Sequence, residues 1–421
     1  MQNLRIDKER LWTDLMDTAA IGATKKGGIC RLTLTELDRQ VRDWFRSRAE
    51  ALGCTVTVDD MGAMFARRPG QRIGVPPIAM GSHLDTQPTG GKFDGALGVL
   101  AALEALRTLH ESGYETFAPI EVINWTNEEG ARFAPAMLAS GVFAGVFDRT
   151  WAVARADRAG VTFGEALEGI GYRGVEKCGA HPLSAFFEVH IEQGPILEAE
   201  AKDIGVVTGV QAMRWYEITV SGRDQHAGTT PMHARRDALL CAARVIEQVN
   251  AIANAHAPLG VGTVGLVEVK PNSPNVIPGE VFFTVDLRHP DAAVLDQMQE
   301  EWTAAGYAVT DELGLEVEIA KILDQPPVRF DPDCIGCVRE GARAGGLSAR
   351  EIVSGAGHDA GYVSRVAPSA MIFVPCRDGI SHNEAEYATP EHCAAGAQVL
   401  LQAVLGYDRL LQERAAIRSS D

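Results

Sequence analysis

The chain has 421 residues, a length suited to two or three domains rather than one. Apolar residues make up 46% of it and charged residues 23%, which excludes collagen-like, coiled-coil and disordered classes. Acidic residues outnumber basic ones by 56 to 39; the formal net charge of −17 argues against nucleic acid or an anionic membrane as the main partner.

At the start, residues 1–10 carry Arg5, Asp7, Lys8, Glu9 and Arg10 and no apolar stretch. This predicts no secretory signal and a cytoplasmic location. No segment approaches the roughly 18 consecutive apolar residues of a membrane span. Residues 73–81 are a short apolar run ending in glycine and read as a buried strand. Residues 96–110 read as an apolar helix through Leu97, Val99, Leu100, Ala101, Leu103 and Leu106. Residues 120–125 and 186–191 read as further strands. Alternation of this kind predicts an α/β domain with a largely parallel sheet, whose ligands gather beyond the carboxyl ends of the strands.

Residues 214–324 read differently. A strand at 216–220 is followed by a helix at 235–255, strands at 262–269 and 281–287, a helix at 291–305 opened by Asp291, and a strand at 315–323. The order β-α-β-β-α-β is ferredoxin-like. After Gln325-Pro326-Pro327 the α/β style resumes. The expected architecture is a discontinuous α/β domain, residues 1–213 and 327–421, with an inserted ferredoxin-like α+β domain at 214–326. The eight cysteines are spread along the chain and read as reduced thiols; Cys334-Ile-Gly-Cys337 is a lone CxxC opening a helical stretch.

Chemistry-bearing residues cluster at the expected strand ends. His83 and Asp85 lie two apart, a spacing that points both side chains the same way along a strand. Asp94 follows in a glycine-rich loop just before a helix. Glu128 and Glu129 are adjacent carboxylates after the strand at 120–125, a pairing that repels unless something positive sits between them. His190 ends a further strand, and His382 lies late in the chain. Two or three histidines with Asp94 and Glu129 form the donor mix of a dinuclear divalent-metal site.

These blocks resemble the amidase/carbamoylase branch of the dinuclear zinc peptidase-like (M20) family. That branch includes N-carbamoyl-L-amino acid hydrolases, β-ureidopropionases and allantoate amidohydrolases. GSHLDTQPTGGKFDGALGVL, NEEGARF, HIEQGP, DQHAGTTPM, NVIP, DLR, GAGHDA and SHNEAE occur in the family's order. DTQP and GGKFDG resemble the β-ureidopropionase type more than allantoate hydrolases.

The resemblance implies two divalent metal ions, zinc first, with manganese, cobalt or nickel as alternatives. His83, Asp94, Glu129, His190 and His382 would hold them, with Asp94 bridging. Glu128 would be the general acid/base, and Asp85 would orient His83. From the inserted domain, His226 resembles the family's lid histidine near the scissile carbonyl, and Asn275 and Arg288 resemble its clamp on the substrate carboxylate. Gln193 and Gly357 match further substrate-contact positions. His358 is not placed among the ligands, and His110, His181, His233, His256, His289 and His392 match no such position. The implied reaction is hydrolysis of the ureido C–N bond of an N-carbamoyl α- or β-amino acid to amino acid, ammonia and carbon dioxide. Allantoate hydrolysis is the alternative, and a catalytically silent binding protein on the same fold a remote one. The implied substrate is a small molecule with a carboxylate, and the implied assembly is a homodimer through the inserted lid domain.

Overall fold

Pro76 and Pro77 have no N–H to offer a sheet ladder. The strand expected across residues 73–81 accordingly starts only at Ile78 and runs on to His83, while Ile73 is 97% exposed. This is seen in a computed structural model that describes residues 4–418.

The elements follow in chain order. Helices α1 (Lys8–Ala19) and α2 (Glu36–Ala51) are capped by Asp7 and Thr35, whose side chains accept from the N–H groups of Arg10 and Asp38. Strands β1 (Thr55–Val58), β2 (Met64–Arg68) and β3 (Ile78–His83) come next, then α3 (Ala96–Glu111) and β4 (Ile120–Trp125). Short helices α4 (Leu138–Phe143), α5 (Arg149–Val153) and α6 (Phe163–Gly169) precede β5 (Ala185–Ile191), α7 (Ile196–Ala199) and β6 (Ile204–Val210). A second run holds β7 (Ala212–Ser221), β8 (Gln225–His226), α8 (Ala238–Ala255), β9 (Val261–Thr263), β10 (Val267–Lys270), β11 (Val276–Ile277), β12 (Glu280–His289), α9 (Ala292–Leu313) and β13 (Glu316–Gln325). The chain ends with β14 (Val328–Arg329), α10 (Pro332–Ala344), β15 (Ala349–Ser354), α11 (Asp359–Val363), β16 (Ser369–Val374) and α12 (Pro390–Arg418).

Two units divide the chain: residues up to Gly209 together with those from Arg329 onward, and Val210–Val328. The first unit's sheet has the order β1-β2-β4-β3-β5-β16-β6-β14, with β15 pairing β6. Its centre, β4-β3-β5-β16, is parallel, and β2 and β6 flank it antiparallel. All four central strands are buried at every position, as expected of a parallel sheet covered on both faces. Helix α3 packs on β3 and beneath α12, and is buried from Ala96 to Leu109. Register then sets the site. Met80 pairs with Phe187, so three residues further along each strand His83 and His190 come level, and His83 pairs with Trp125 on the other side.

The second unit is an antiparallel sheet, β10-β12-β7-β13, with β9 also on β12. Tyr216, Phe283 and Val285 from its strands pack with Val245, Leu295 and Trp302 from α8 and α9. The strand expected at 262–269 is broken into β9 and β10, both on β12. The helix expected to end at residue 305 runs to Leu313, because Gly306 is buried against the core and the stop comes at Gly314, left-handed at φ 64°.

Candidate metal centre

Strand ends of the first unit bring seven polar side chains together. His83, at the end of β3, turns its Nδ1 to the Asp85 carbonyl at 2.9 Å. A carbonyl only accepts, so Nδ1 carries a proton in either charge state, and Nε2 is the ring atom left to meet a metal ion. That Nε2 is buried with no hydrogen-bond partner. His190 in β5 repeats the arrangement: Nδ1 donates to the Ile191 carbonyl at 2.9 Å. Its Nε2 stands 3.2 Å from Asp94 Oδ1, and that of His83 stands 3.5 Å from the same oxygen. The other Asp94 oxygen faces a second group. His382 Nε2 is 3.6 Å from Asp94 Oδ2 and 3.3 Å from Glu129 Oε2.

Asp94 is thus common to two donor sets, His83–Asp94–His190 and Asp94–Glu129–His382, each with ligand atoms within 4.8 Å of one another. His83 and His190 are almost fully buried, whereas the His382 side chain is 51% exposed, which leaves that side open to a small molecule. Glu128 Oε2 lies 3.5 Å from His83 Nε2.

The orientation expected of Asp85 is corrected in its detail. Its carbonyl, not its carboxylate, bonds His83; Oδ1 lies 3.9 Å from Nδ1. The carboxylate instead accepts the N–H groups of Glu128 and Glu129, each at 3.3 Å. The loop after β4 runs beside the end of β3 and offers two N–H groups that satisfy both oxygens, a better use of a buried carboxylate than one ring N–H.

Electrostatics fit an acceptor-rich pocket built for cations. Burial pushes Glu129 up to about 8, with Asp94 and Asp85 adding to it against His83. Burial also pushes Glu128 well above the ordinary range, with Asp359, Glu129 and Asp94 outweighing the pull of His83. Asp94 is held well below that range: its burial is overcome by His190 and His83. His190 Nε2 accepts the Gly95 N–H at 3.2 Å, and His83 Nε2 has no hydrogen-bond partner, so a divalent ion between these nitrogens and the crowded carboxylates relieves both problems and the donor set fits such an ion.

Gln193 and Ser381 donate to Asp94 Oδ2 at 2.8 and 2.6 Å. Ser381 and two further neighbours, Glu386 and Gln87, went unread in the sequence. Glu386 Oε1 accepts the N–H groups of Phe93 and Asp94 at 2.9 and 3.0 Å and so shapes the Asp94 loop. Gln87 Nε2 and its backbone N–H hold the Glu129 carboxylate at 2.8 and 3.1 Å. His358 lies with its ring centroid 4.5 Å from that of His190, and burial together with His190 lowers it well below the usual histidine range, so it is a neutral wall. Ser381, Glu386 and Gln87 stand inside the SHNEAE and DTQP blocks, which were the available signal. Gly357 precedes His358 at the start of α11.

The remaining expected residues lie in the second unit. His226 in β8 pairs with Val276 of β11, and Ala227 N–H donates to the Asn275 carbonyl at 2.9 Å, so His226 and Asn275 share one ribbon. His226 Nδ1 accepts from the N–H groups of Gly228 and Thr229 at 3.0 and 3.2 Å, which places the ring proton on Nε2. Arg288 in β12 donates to Asp286, Nε at 3.0 and 3.1 Å and Nη2 at 2.7 Å.

Comparison with known proteins places the chain among amidohydrolases. An N-carbamoyl-L-amino-acid amidohydrolase of Rhizobium meliloti is 51% identical over 96% of this chain and 97% of its own length. An allantoate amidohydrolase of Bacillus subtilis is 35% identical over 95% of this chain and 98% of its own. A crystal structure of an amidase of the hydantoinase/carbamoylase family from Burkholderia multivorans superposes with a TM-score of 0.91 at 57% identity, covering 96% of this chain and 98% of that one. Residues 79–406 match peptidase family M20/M25/M40, and the chain belongs to that family of metal-dependent hydrolases.

Proposed function

We propose that the protein hydrolyses the ureido C–N bond of N-carbamoyl-L-amino acids, releasing the amino acid, ammonia and carbon dioxide. The observation that carries this reading is the sharing of Asp94 between two histidine–carboxylate sets. The name of the Rhizobium meliloti relative supports the substrate class.

His83 and His190 would hold one divalent ion, Glu129 and His382 the other, and Asp94 would bridge them. Zinc suits the donors first; manganese, cobalt and nickel are alternatives. When bound, such ions supply Lewis acidity that activates water and polarises the ureido carbonyl. Glu128, buried beside His83, takes the proton of the attacking water and returns it to the leaving nitrogen. Asp85 steadies it through the Glu128 N–H. His226, with its proton on Nε2, donates to the developing oxyanion. Arg288 and Asn275 grip the substrate carboxylate, for which the guanidinium fork is the matching donor. Gln193 and Gly357 are assigned further contacts.

The second unit is given the part of lid and dimer interface; its exposed Leu239, Leu240 and Val267 support self-association into a homodimer. Eight free cysteines support a reducing, cytoplasmic setting, and no described helix is long and apolar enough to cross a membrane.

Ammonia release measured side by side on N-carbamoyl-L-amino acids, N-carbamoyl-β-alanine and allantoate tests the reading. The highest kcat/KM is expected on an N-carbamoyl-L-amino acid. A preference for allantoate would replace the assigned substrate, and inertness towards all of them would remove the amidohydrolase assignment.

A further inference from the structure

Arg31, between α1 and α2, is wholly buried. Its guanidinium donates to three main-chain carbonyls: Nε to Leu84 at 2.8 Å, and Nη1 to Thr18 and Ile21, each at 2.9 Å. Its backbone completes a clasp. Arg31 N–H donates to Thr86 Oγ1 at 2.9 Å, and the Arg31 carbonyl accepts from Thr86 N–H at 3.0 Å.

Leu84 and Thr86 are the two neighbours of Asp85, so Arg31 grips the chain on either side of it. Asp85 directs its carbonyl to His83 and its carboxylate to the N–H groups of Glu128 and Glu129. The His83 ring and the Glu128–Glu129 turn are therefore tied, through Asp85, to one buried cation. Burying a guanidinium is costly. It lowers Arg31 to about 10, even though Asp38 and Asp85 pull the other way. Core packing alone would be met by an apolar side chain at less cost. A planar fork that spans the end of α1 and the end of β3 at once is a use that lysine, with its donors on one atom, does not match.

We propose that Arg31 is a positioning residue of the metal centre: by fixing Leu84 and Thr86 it holds Asp85, and through Asp85 the His83 ring and the Glu128–Glu129 turn. This rests on the assignment of His83 and Glu129 as metal ligands and Glu128 as proton carrier.

The test is Arg31→Lys in the full-length protein. It combines metal titration against a chromophoric chelator, the visible spectrum of the cobalt-loaded protein, and steady-state kinetics. The dissociation constant for cobalt or zinc is expected to rise about 10- to 100-fold, as for other residues that orient ligands from behind. The cobalt bands should shift. Turnover should fall by a similar factor while KM stays within about twofold, because no substrate contact is touched. Native metal affinity, spectrum and kcat in the folded variant would overturn the proposal. So would lowered stability with the metal properties unchanged.

If Arg31→Lys does not accumulate, Thr86→Val decides. It removes the hydroxyl that receives Arg31 N–H, and a shift in the same direction of about a few-fold is expected. An unaltered cobalt spectrum and affinity there would overturn the proposal. Metal titration needs no substrate, so a wrong substrate assignment leaves this result standing. A wild-type protein that takes up no metal would instead show that the metal centre itself was misread.

Discussion

Gly95 leaves the space that the His83 ring fills. A Cβ built on Gly95 would lie 2.3 Å from His83 Cε1 and 2.4 Å from both ring nitrogens, and Gly95 sits at φ +64° at the entry to α3. Two requirements meet at one position: a positive φ with ψ near −50°, the strained turn that lets Ala96 N–H reach the Asp94 carbonyl, and a void where a side chain would start. Gly95→Ala is expected to push the His83 ring out of line and to weaken metal uptake about 100-fold or more. Metal content after dialysis against a dilute chelator checks it; full occupancy in the variant would mean that the ring tolerates displacement.

Glu128 and Glu129 differ by one position and should differ in what they do. Glu128→Gln keeps the shape and the N–H that binds Asp85, so the variant should bind metal as tightly as the native protein. Turnover should fall by about 100- to 10,000-fold. Glu129→Gln should instead lose metal from the His382 side, with activity restored in part by excess cation. The two variants reversing these outcomes would exchange the roles.

Residues 120–125 and the histidines at strand ends were legible because burial and period fix them locally: an unbroken apolar run between turn signals has few other places to go. The Asp291 cap was legible for the same reason, since its side chain accepts from Ala293 two residues on. Arg31 was not, because its bonds reach 53 residues along the chain to Leu84, and nothing in a stretch of IleCysArgLeuThr announces them. The direction of Asp85 was likewise hidden: whether its carbonyl or carboxylate finds His83 depends on where the loop after β4 comes to rest. The extent of α9 past residue 305 was hidden by Gly306. It weakens a helix in isolation, but in α9 it is buried, and packing against the core outweighs the propensity cost of about 1 kcal/mol.

Away from the metal centre, Asp59 gives the fold a pH dependence of its own. Its Oδ1 accepts the N–H groups of Met61 and Ala63, each at 2.9 Å, and the buried carboxylate also meets the Cys178 thiol. Burial pushes it up to about 6, against about 3.9 in an unfolded chain. The folded state therefore holds this proton more tightly. The stability so gained is fully present below about pH 4 and is lost as pH rises through 6, a total of about 3 kcal/mol. Asp59→Asn keeps an oxygen for both N–H groups and cannot ionise. Relative to the native protein it should gain stability between pH 5 and 7.5, by roughly half that total. Urea midpoints at the two pH values measure it, and parallel pH profiles for both proteins would show that Asp59 is ionised throughout.

Arg288 offers the sharpest separation of binding from chemistry. Its fork is held by Asp286 through Nε and Nη2, which pre-sets the plane that a substrate carboxylate would meet. Lysine keeps the charge and loses the plane. If the fork grips substrate in ground and transition states alike, Arg288→Lys should raise KM about 10- to 100-fold and leave kcat within a few-fold. Asn275→Ala, which removes a neutral donor, should cost only about 2- to 10-fold. The control is an N-carbamoyl amine that has no carboxylate. It should be a poor substrate for the native protein and no poorer for Arg288→Lys, since the interaction removed was never made. An equal loss on both substrates would place Arg288 in the scaffold of β12, bonded to Asp286 for the sheet's sake rather than for the substrate's.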